Sequence, residues 1–162
     1  MDNLWAPWRT AYVEHIGEKK GKGCVFCAVL KHKKDGPHFV LFRTRLSFAV
    51  LNIYPFNAGH VLVLPLRHVA GLEQLTAAER NDLMEALVKV QGMIKKAFKP
   101  DGFNVGINLG HVAGAGIPEH LHIHIVPRWS GDVNFMPALA ATKVIPTSLE
   151  KTWERLRAAE DQ

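Results

Sequence analysis

The sequence has little cysteine and no long apolar run. It contains two cysteines in 162 residues, and no apolar stretch approaches the roughly 20 residues that a membrane-spanning helix needs. Two cysteines three positions apart cannot form the disulfide framework of a small secreted protein. The segment from Met1 to Tyr12 carries Asp2 and Arg9 and has no uninterrupted apolar core, so no signal peptide is predicted. We therefore expect a cytoplasmic protein without a membrane partner.

The composition excludes a disordered tail or a coiled coil. With 48% hydrophobic and 22% charged residues, it is typical of a globular chain about one domain long. Without repeats or long linkers, a single domain is predicted over residues 1–162, with an N-terminal segment 1–30, a core 38–129 and a C-terminal extension 130–162. The net charge of +5 fits a polyanionic partner or simple solubility. The dispersed lysines and arginines argue against nucleic acid.

Hydrophobic patterning predicts an α+β fold: an antiparallel sheet, one long crossover helix and a C-terminal helix. The predicted strands cover 39–42, 47–52, 60–65, 103–109 and 120–126. Strand 60–65 is almost continuously apolar, which indicates a central strand covered on both faces.

Two helices are predicted from their start signals. Thr76 and Glu79 form a capping-box pattern, and apolar residues at helical spacing continue to about Phe98. A second helix follows a cap at Thr147 or Ser148. Its apolar residues share one face: Leu149, Trp153 and Leu156.

Three of the nine histidines alternate along the last predicted strand: His120, His122 and His124. Successive side chains of a strand point to opposite faces, so these three share one face. The other face is aliphatic and belongs to the core: Leu121, Ile123 and Ile125. A solvated histidine-rich surface is one interpretation, but strict alternation over an apolar reverse face favours a functional site.

Imidazole has an unperturbed pKa of about 6.5 and can act as a nucleophile or a general base near neutral pH. His122, the middle histidine with a polar neighbour on each side, is the best candidate nucleophile. Same-face positions lie roughly 6.6–7 Å apart and diverge too little to surround one ion easily. One metal-binding histidine plus one nucleophile is therefore preferred to a cage of three histidines.

The segment from Asn108 to Gly116 is a loop of small residues upstream of the histidines. Such loops let backbone N–H groups approach an anion and form a phosphate-binding nest; a plain flexible loop is the alternative. Beside the histidine row, the anion interpretation is favoured. It predicts a phosphorylated small molecule as the substrate.

Cys24 and Cys27 form a Cys-x-x-Cys pair with three interpretations: a redox dithiol, half of a metal site, or coincidence. The Gly- and Lys-rich loop 17–23 precedes them where a thioredoxin-like motif would need a strand, which disfavours the dithiol. A zinc half-site and a buried pair of thiols both remain open.

The stretch His120-Leu-His122-Ile-His124-Ile-Val resembles the signature of the histidine triad (HIT) family. Residues 47–52 and 59–68 are similar to the family's two upstream blocks, and the similarity is continuous over 24–129. Segments 4–9 and 131–136 resemble the bacterial subgroup related to diadenosine tetraphosphate phosphorylases and hydrolases.

This resemblance implies an enzyme acting at the α-phosphate of dinucleoside polyphosphates. His122 would attack the phosphorus and form a covalent nucleotidyl-histidine, and water or phosphate would release a nucleoside mono- or diphosphate. His60 and His124 match positions that line and polarise the site, and Asn52 matches a contact on the ribose side. The implied substrate-binding residues are Asn52, Asn108, Gly114, Ala115, Gly116, His122 and His124.

The resemblance also implies a zinc site held by Cys24, Cys27, His68 and His120. A closed set of four ligands leaves no open position, which indicates a structural metal. By the same analogy, a homodimer formed through the long helix and an edge strand is expected.

The sequence departs from the family pattern just before the triad. Many members carry Gly-Gln-Ser or Gly-Gln-Thr there, but this chain has Ala115-Gly116-Ile117-Pro118. The missing side-chain donors leave backbone N–H groups, Asn108 or Arg128 as substitutes and weaken the case for a nucleoside phosphoramidase. That activity, and a zinc-stabilised nucleotide-binding or sensing protein with little catalysis, are the alternatives.

Overall fold

The computed structural model describes residues 23–32, 34–133 and 144–160, and these form an α+β fold around one antiparallel sheet. The strands are β1 (Val40–Arg43), β2 (Ser47–Leu51), β3 (Val61–Pro65), β4 (Gly102–Ile107) and β5 (Ile123–Arg128). Their order is β1-β2-β3-β5-β4, and every neighbouring pair is antiparallel. The helices are α1 (Val25–Lys31), α2 (Ala77–Phe98) and α3 (Leu149–Ala158), with short 3₁₀ turns at Gly36–His38 and Leu72–Gln74. The predicted fold class is confirmed.

Strand β3 lies at the centre of the sheet, and all five of its residues are buried. Val61 and Val63 belong to the main core beneath α2. Leu62 and Leu64 point to the other face and pack in a second core with Phe26 of α1. The prediction of a strand covered on both faces is therefore confirmed.

Both main helices begin at the predicted signals. Thr76 Oγ1 accepts the Glu79 N–H at 3.2 Å, and the Glu79 carboxylate accepts the Thr76 N–H at 2.8 Å. The cap of α3 is Ser148, whose Oγ accepts the Lys151 N–H at 3.2 Å. The Trp153 indole donates to the Val40 carbonyl at 2.8 Å and holds α3 against β1. Within the described segments, no helix is both long and apolar enough to cross a membrane.

The predicted strand 120–126 is shifted, because β5 begins only at Ile123. On both sides the pairing ends there, with Val63 of β3 and Ile107 of β4 opposite Ile123. Pro65, at the end of β3, has no N–H for a further ladder bond. Its carbonyl accepts the Nε2–H of His120 at 3.0 Å instead.

Only His124 of the three histidines therefore lies in a strand, and the prediction of three histidines alternating along one strand is wrong. The predicted aliphatic face is nevertheless correct, since Leu121, Ile123 and Ile125 are all buried in the main core. The Leu121 N–H, which has left the sheet, donates to the Val69 carbonyl at 2.7 Å.

The other strand boundaries differ by one or two residues. Phe39 adopts a left-handed conformation, with φ of 55°, and therefore precedes β1. Strand β4 ends at Ile107, where the sequence predicted residue 109. Segment 4–9 and residues 134–136, which carried part of the subgroup resemblance, lie outside the described residues.

Candidate active site

His122 is buried, and one hydrogen bond fixes its ring. Its Nδ1 lies 2.8 Å from the carbonyl oxygen of His120. A carbonyl can only accept, so Nδ1 carries the proton and the neutral ring keeps a lone pair on Nε2. Burial lowers the pKa of His122 and favours this neutral form. The arrangement is that of a potential nucleophile.

His60 and His124 form a chain of oriented rings beside His122. The Phe56 N–H donates to His60 Nδ1 at 3.1 Å, which leaves the proton of a neutral His60 on Nε2. That Nε2–H donates to His124 Nδ1 at 2.9 Å. The proton of a neutral His124 consequently lies on its own Nε2. The rings of His122 and His124 are 4.9 Å apart between centroids.

The pKa of His60 is lowered to about 3. Burial is the main cause, and the charges that His124 and His122 would carry act in the same direction. His60 therefore stays neutral across the physiological range, and the donor and acceptor roles in this chain of rings are fixed.

Asn52 belongs to the same cluster. The Tyr54 N–H donates to Asn52 Oδ1 at 2.9 Å, which turns the amide nitrogen toward His60 Nδ1, 3.3 Å away. The structure thus brings together four of the residues singled out in the sequence: Asn52, His60, His122 and His124.

The loop 110–116 folds back on itself. Gly110 and Gly114 have φ values of 84° and 90°, a region that favours glycine. Gly114 N–H donates to the His111 carbonyl at 2.9 Å, and Ala115 N–H donates to the Gly110 carbonyl at 3.3 Å. Asn108 Nδ2 donates to the Gly114 carbonyl at 3.4 Å. Two of the N–H groups expected to face a phosphate are thus bonded within the loop, and a substrate role for Gly114, Ala115 and Gly116 stays a prediction.

Arg128, a candidate substitute donor, is held by its own neighbours. Its Nε and Nη2 donate to the two carboxylate oxygens of Asp132 at 2.7 and 2.8 Å, and Nη1 donates to Asn104 Oδ1 at 2.8 Å. The guanidinium is therefore rigid, and its charge is balanced by Asp132.

The four predicted metal ligands converge on one point. The donor atoms of Cys24, Cys27, His68 and His120 lie within 4.8 Å of one another. Cys24 Sγ is 3.3 Å from His120 Nδ1, and Cys27 Sγ is 3.3 Å from His68 Nδ1. Thiolate and imidazole donors at this spacing fit a tetrahedral ion with bonds of about 2.0–2.3 Å.

Two further features suit a metal. The Nε2–H of His120 is anchored on the Pro65 carbonyl, so its Nδ1 lone pair faces the two sulfurs, as is usual for a ligating histidine. Burial is the main cause that raises the pKa of the Cys24 thiol, and a divalent cation would offset that effect by stabilising the thiolate.

Two phenylalanines of the site were not singled out in the sequence. The ring of Phe26 lies 5.5 Å from those of His120 and His122 and so packs between the two clusters. Phe56 stacks on His60 at 4.9 Å. The position of Phe26 between the two cysteines could have indicated that it belongs to the site. No local feature of the sequence distinguishes Phe56.

The fold, the histidine cluster and the cluster of cysteines and histidines are consistent with the protein family that the sequence matches. The HIT domain model matches residues 33–131, and the chain therefore belongs to the HIT family. A more particular similarity is to AP-4-A phosphorylase from Mycobacterium tuberculosis (strain CDC 1551 / Oshkosh), which is 41% identical over 165 residues, covering 99% of this chain and 84% of that protein.

Two other relatives extend the comparison. Bis(5'-nucleosyl)-tetraphosphatase (asymmetrical) from Schizosaccharomyces pombe is 45% identical over 93 residues, which are 57% of this chain and 50% of that protein. A zinc-bound histidine triad family protein from Mycobacterium smegmatis, 27% identical, superposes with a TM-score of 0.69 over 86% of this chain and 94% of that chain.

Proposed function

We propose that this chain cleaves dinucleoside polyphosphates, such as diadenosine tetraphosphate, at the α-phosphate through a covalent intermediate on His122. The observation that carries the proposal is the hydrogen bond from His122 Nδ1 to the His120 carbonyl, which leaves Nε2 as the reactive nitrogen. The similarity to proteins named AP-4-A phosphorylase and bis(5'-nucleosyl)-tetraphosphatase supports this class of substrate.

In the first step His122 Nε2 attacks the α-phosphorus in line. A P–N bond forms, the P–O bond to the bridging oxygen breaks, and that oxygen leaves with the bonding electron pair. The Nε2–H of His124 donates a hydrogen bond to this oxygen and stabilises its developing charge. His60 keeps the ring of His124 oriented for that purpose.

In the second step water or inorganic phosphate attacks the same phosphorus. The P–N bond breaks, its electron pair returns to His122 Nε2, and the incoming oxygen forms the new P–O bond. Water gives a nucleoside monophosphate and phosphate gives a nucleoside diphosphate. When water is the nucleophile, its released proton passes to the solvent.

The remaining predicted residues bind the substrate around this centre. Asn52 contacts the ribose side of the transferred nucleotide and, through its amide nitrogen, also supports His60. Asn108 and the loop residues Gly114, Ala115 and Gly116 line the phosphates.

The cysteine and histidine cluster holds zinc in a structural role. Cys24, Cys27, His68 and His120 supply two sulfurs and two nitrogens, a closed set for this ion. When bound, the ion supplies no Lewis acidity to the substrate but ties α1 to the segment that carries His122. The zinc-bound relative supports this choice of metal.

The chain is also proposed to be a cytoplasmic homodimer. Strand β4 is one of the two outer strands of the sheet, β1 being the other, and the outer side of α2 carries Met84 and Val88, which are 55% and 56% exposed. Exposed apolar residues on a helix and an outer strand of a sheet are typical of a surface that pairs with a second copy.

Product analysis tests the proposed reaction. Purified protein is incubated with diadenosine tetraphosphate, with and without inorganic phosphate, and the nucleotides are separated. ATP with AMP indicates hydrolysis, and ATP with ADP indicates phosphorolysis. His122→Ala should abolish both reactions. His38→Ala is the matched control, because the His38 ring stacks on His32 outside the histidine cluster, and it should abolish neither reaction.

Two results would contradict the proposal: no turnover by the wild type, or full turnover by His122→Ala. Tight nucleotide binding without turnover would instead support a nucleotide-binding or sensing protein.

A further inference from the structure

We propose that a cavity on the histidine side of the sheet binds the base of the leaving nucleotide, an uncharged flat heterocycle. The cavity has a volume of about 230 Å³ and is lined by Phe56, Asn57, Asn104, Val126 and Arg128. The inference rests on the proposed function, because it concerns the half of the substrate that departs when His122 is nucleotidylated.

The cavity lies on the same face of β5 as His124. Val126 and Arg128 follow His124 at every second residue of β5, so the three side chains share one face. From His124 to Arg128 the strand advances about 13 Å. A leaving group that extends from His124 along the strand therefore reaches the cavity.

The neighbouring strand leaves this path open. Gly106 of β4 is paired with His124, and Asn104 is paired with Val126. Among the described residues, no atom lies within 4 Å of a Cβ built on Gly106. The described part of β4 therefore leaves the surface between His124 and the cavity open.

The lining suits one flat ring. The Phe56 ring stacks on His60 yet remains 44% exposed, and the planar guanidinium of Arg128 is fixed by three hydrogen bonds. Nucleobases stack on both aromatic rings and arginine planes. Pockets for whole drug-sized ligands measure roughly 300–1,000 Å³, so this cavity has room for part of a dinucleotide.

The charge of the cavity excludes a phosphate as its occupant. The Asp132 carboxylate accepts hydrogen bonds from Arg128, from Asn57 Nδ2 at 2.8 Å and from the Trp129 N–H at 3.1 Å. It balances the guanidinium and would repel an anion placed beside it. A neutral base meets no such repulsion, and the Asn104 amide on the rim offers it a polar contact.

The experiment compares two substrates that differ only in the distal base: diadenosine tetraphosphate and an analogue whose second ribose carries no base. Wild-type kcat/KM is expected to be about tenfold higher for the parent substrate, the order of effect of stacking one base. Asn104→Phe, which fills the exposed side of the cavity, should bring this ratio close to two, the value expected because the parent has two equivalent adenosine ends and the analogue has one. Glu154→Phe adds the same ring on the exposed side of α3 and should leave the ratio at its wild-type value.

Phe56→Leu provides a second variant that keeps an apolar side chain but removes the flat ring. Any effect transmitted through His60 lowers kcat/KM for both substrates by the same factor and cancels in their ratio. A fall in the ratio therefore reports on the distal base alone.

A wild-type ratio of kcat/KM of about two or less, or an unchanged ratio in Asn104→Phe, would overturn the inference while leaving the proposed function intact. If the wild type cleaves neither substrate, the proposed function fails, and the inference fails with it.

Discussion

The carbonyl of His120 accepts the Nδ1–H of His122 at 2.8 Å, while the ring of His120 places its Nδ1 3.3 Å from Cys24 Sγ. One residue therefore belongs to two clusters: its backbone orients the proposed nucleophile, and its side chain belongs to the proposed zinc site. Phe26 packs against both histidine rings and closes the space between them. Any disturbance of the cysteines should consequently reach His122.

The first prediction follows from this link. Cys24→Ser removes a proposed zinc ligand and should lower both the metal content and the thermal stability. For a chain of this size about 1 kcal/mol shifts Tm by roughly 2–4 °C, and a loss of about 2–3 kcal/mol should lower Tm by roughly 5–10 °C. Metal analysis and calorimetry of protein purified without chelator measure the two effects.

Val25→Ala is the matched control, since Val25 is the exposed neighbour of Cys24 in the sequence. It should leave the metal content unchanged. Wild-type protein that contains no zinc, or that melts at the same temperature after chelation, would argue against a structural metal.

The second prediction concerns acid stability and follows from the pKa of His60, which is lowered to about 3 in the folded chain. The unfolded chain takes up a proton near the ordinary pKa of about 6.5. The folded state therefore binds fewer protons between these values, and the contribution of His60 to stability is complete above pH 6.5 and falls as the pH drops toward 3. Between these two pH values, the contribution of His60 to the free energy of unfolding should change by close to 1.4 kcal/mol per pH unit.

Urea unfolding of the wild type and His60→Gln at pH 6, 5 and 4 isolates this slope. Both proteins carry the same cysteine and histidine cluster, so titration of the cluster cancels in the difference. The two plots of unfolding free energy against pH should converge on acidification, and parallel plots would contradict the account.

The third prediction concerns His124 as the donor to the leaving oxygen. His124→Asn lacks a donor at the position of Nε2 and should lower kcat by about 10²–10³, the usual effect of losing one such donor, with little change in KM. His124→Gln places an amide nitrogen close to that position and should retain more of the activity. Equal activity of the two variants in steady-state assays would contradict this role.

The fourth prediction concerns assembly. The wild type should be a dimer by light scattering, and a combined Met84→Glu and Val88→Glu variant should be a monomer, because the two charges fall on one apolar side of α2. Val25→Glu introduces a charge at an exposed apolar position of α1 and should remain a dimer. A monomeric wild type would contradict the proposed interface.

Much of the fold could be predicted from local sequence signals. The capping box of Thr76 and Glu79 depends on residues three apart, and the apolar run of β3 reports burial on both faces; both were confirmed. The start of β5 could not be predicted in this way, because it depends on where its partner strands end. The Pro65 carbonyl takes the His120 ring instead of continuing the ladder.

The candidate site also has features that local sequence predicts and features that depend on tertiary contacts. Motif residues such as His60, His122 and His124 were recognisable individually, and the structure brings them together. The tautomer of each ring could not be predicted, since it depends on a backbone donor or acceptor such as the Phe56 N–H. The cavity beyond His124 was also unpredictable, because only the tertiary fold places Asn57 and Asn104 at the same cavity as Arg128.

The central claim is that His122 carries the transferred nucleotide, and trapping that adduct tests it most directly. Wild-type protein is mixed with diadenosine tetraphosphate without phosphate, quenched in alkali and analysed by peptide mass spectrometry. We predict a nucleoside monophosphate on His122 that added phosphate converts to nucleoside diphosphate. Turnover without any adduct, or an adduct on another residue that persists in active His122→Ala protein, would contradict the mechanism.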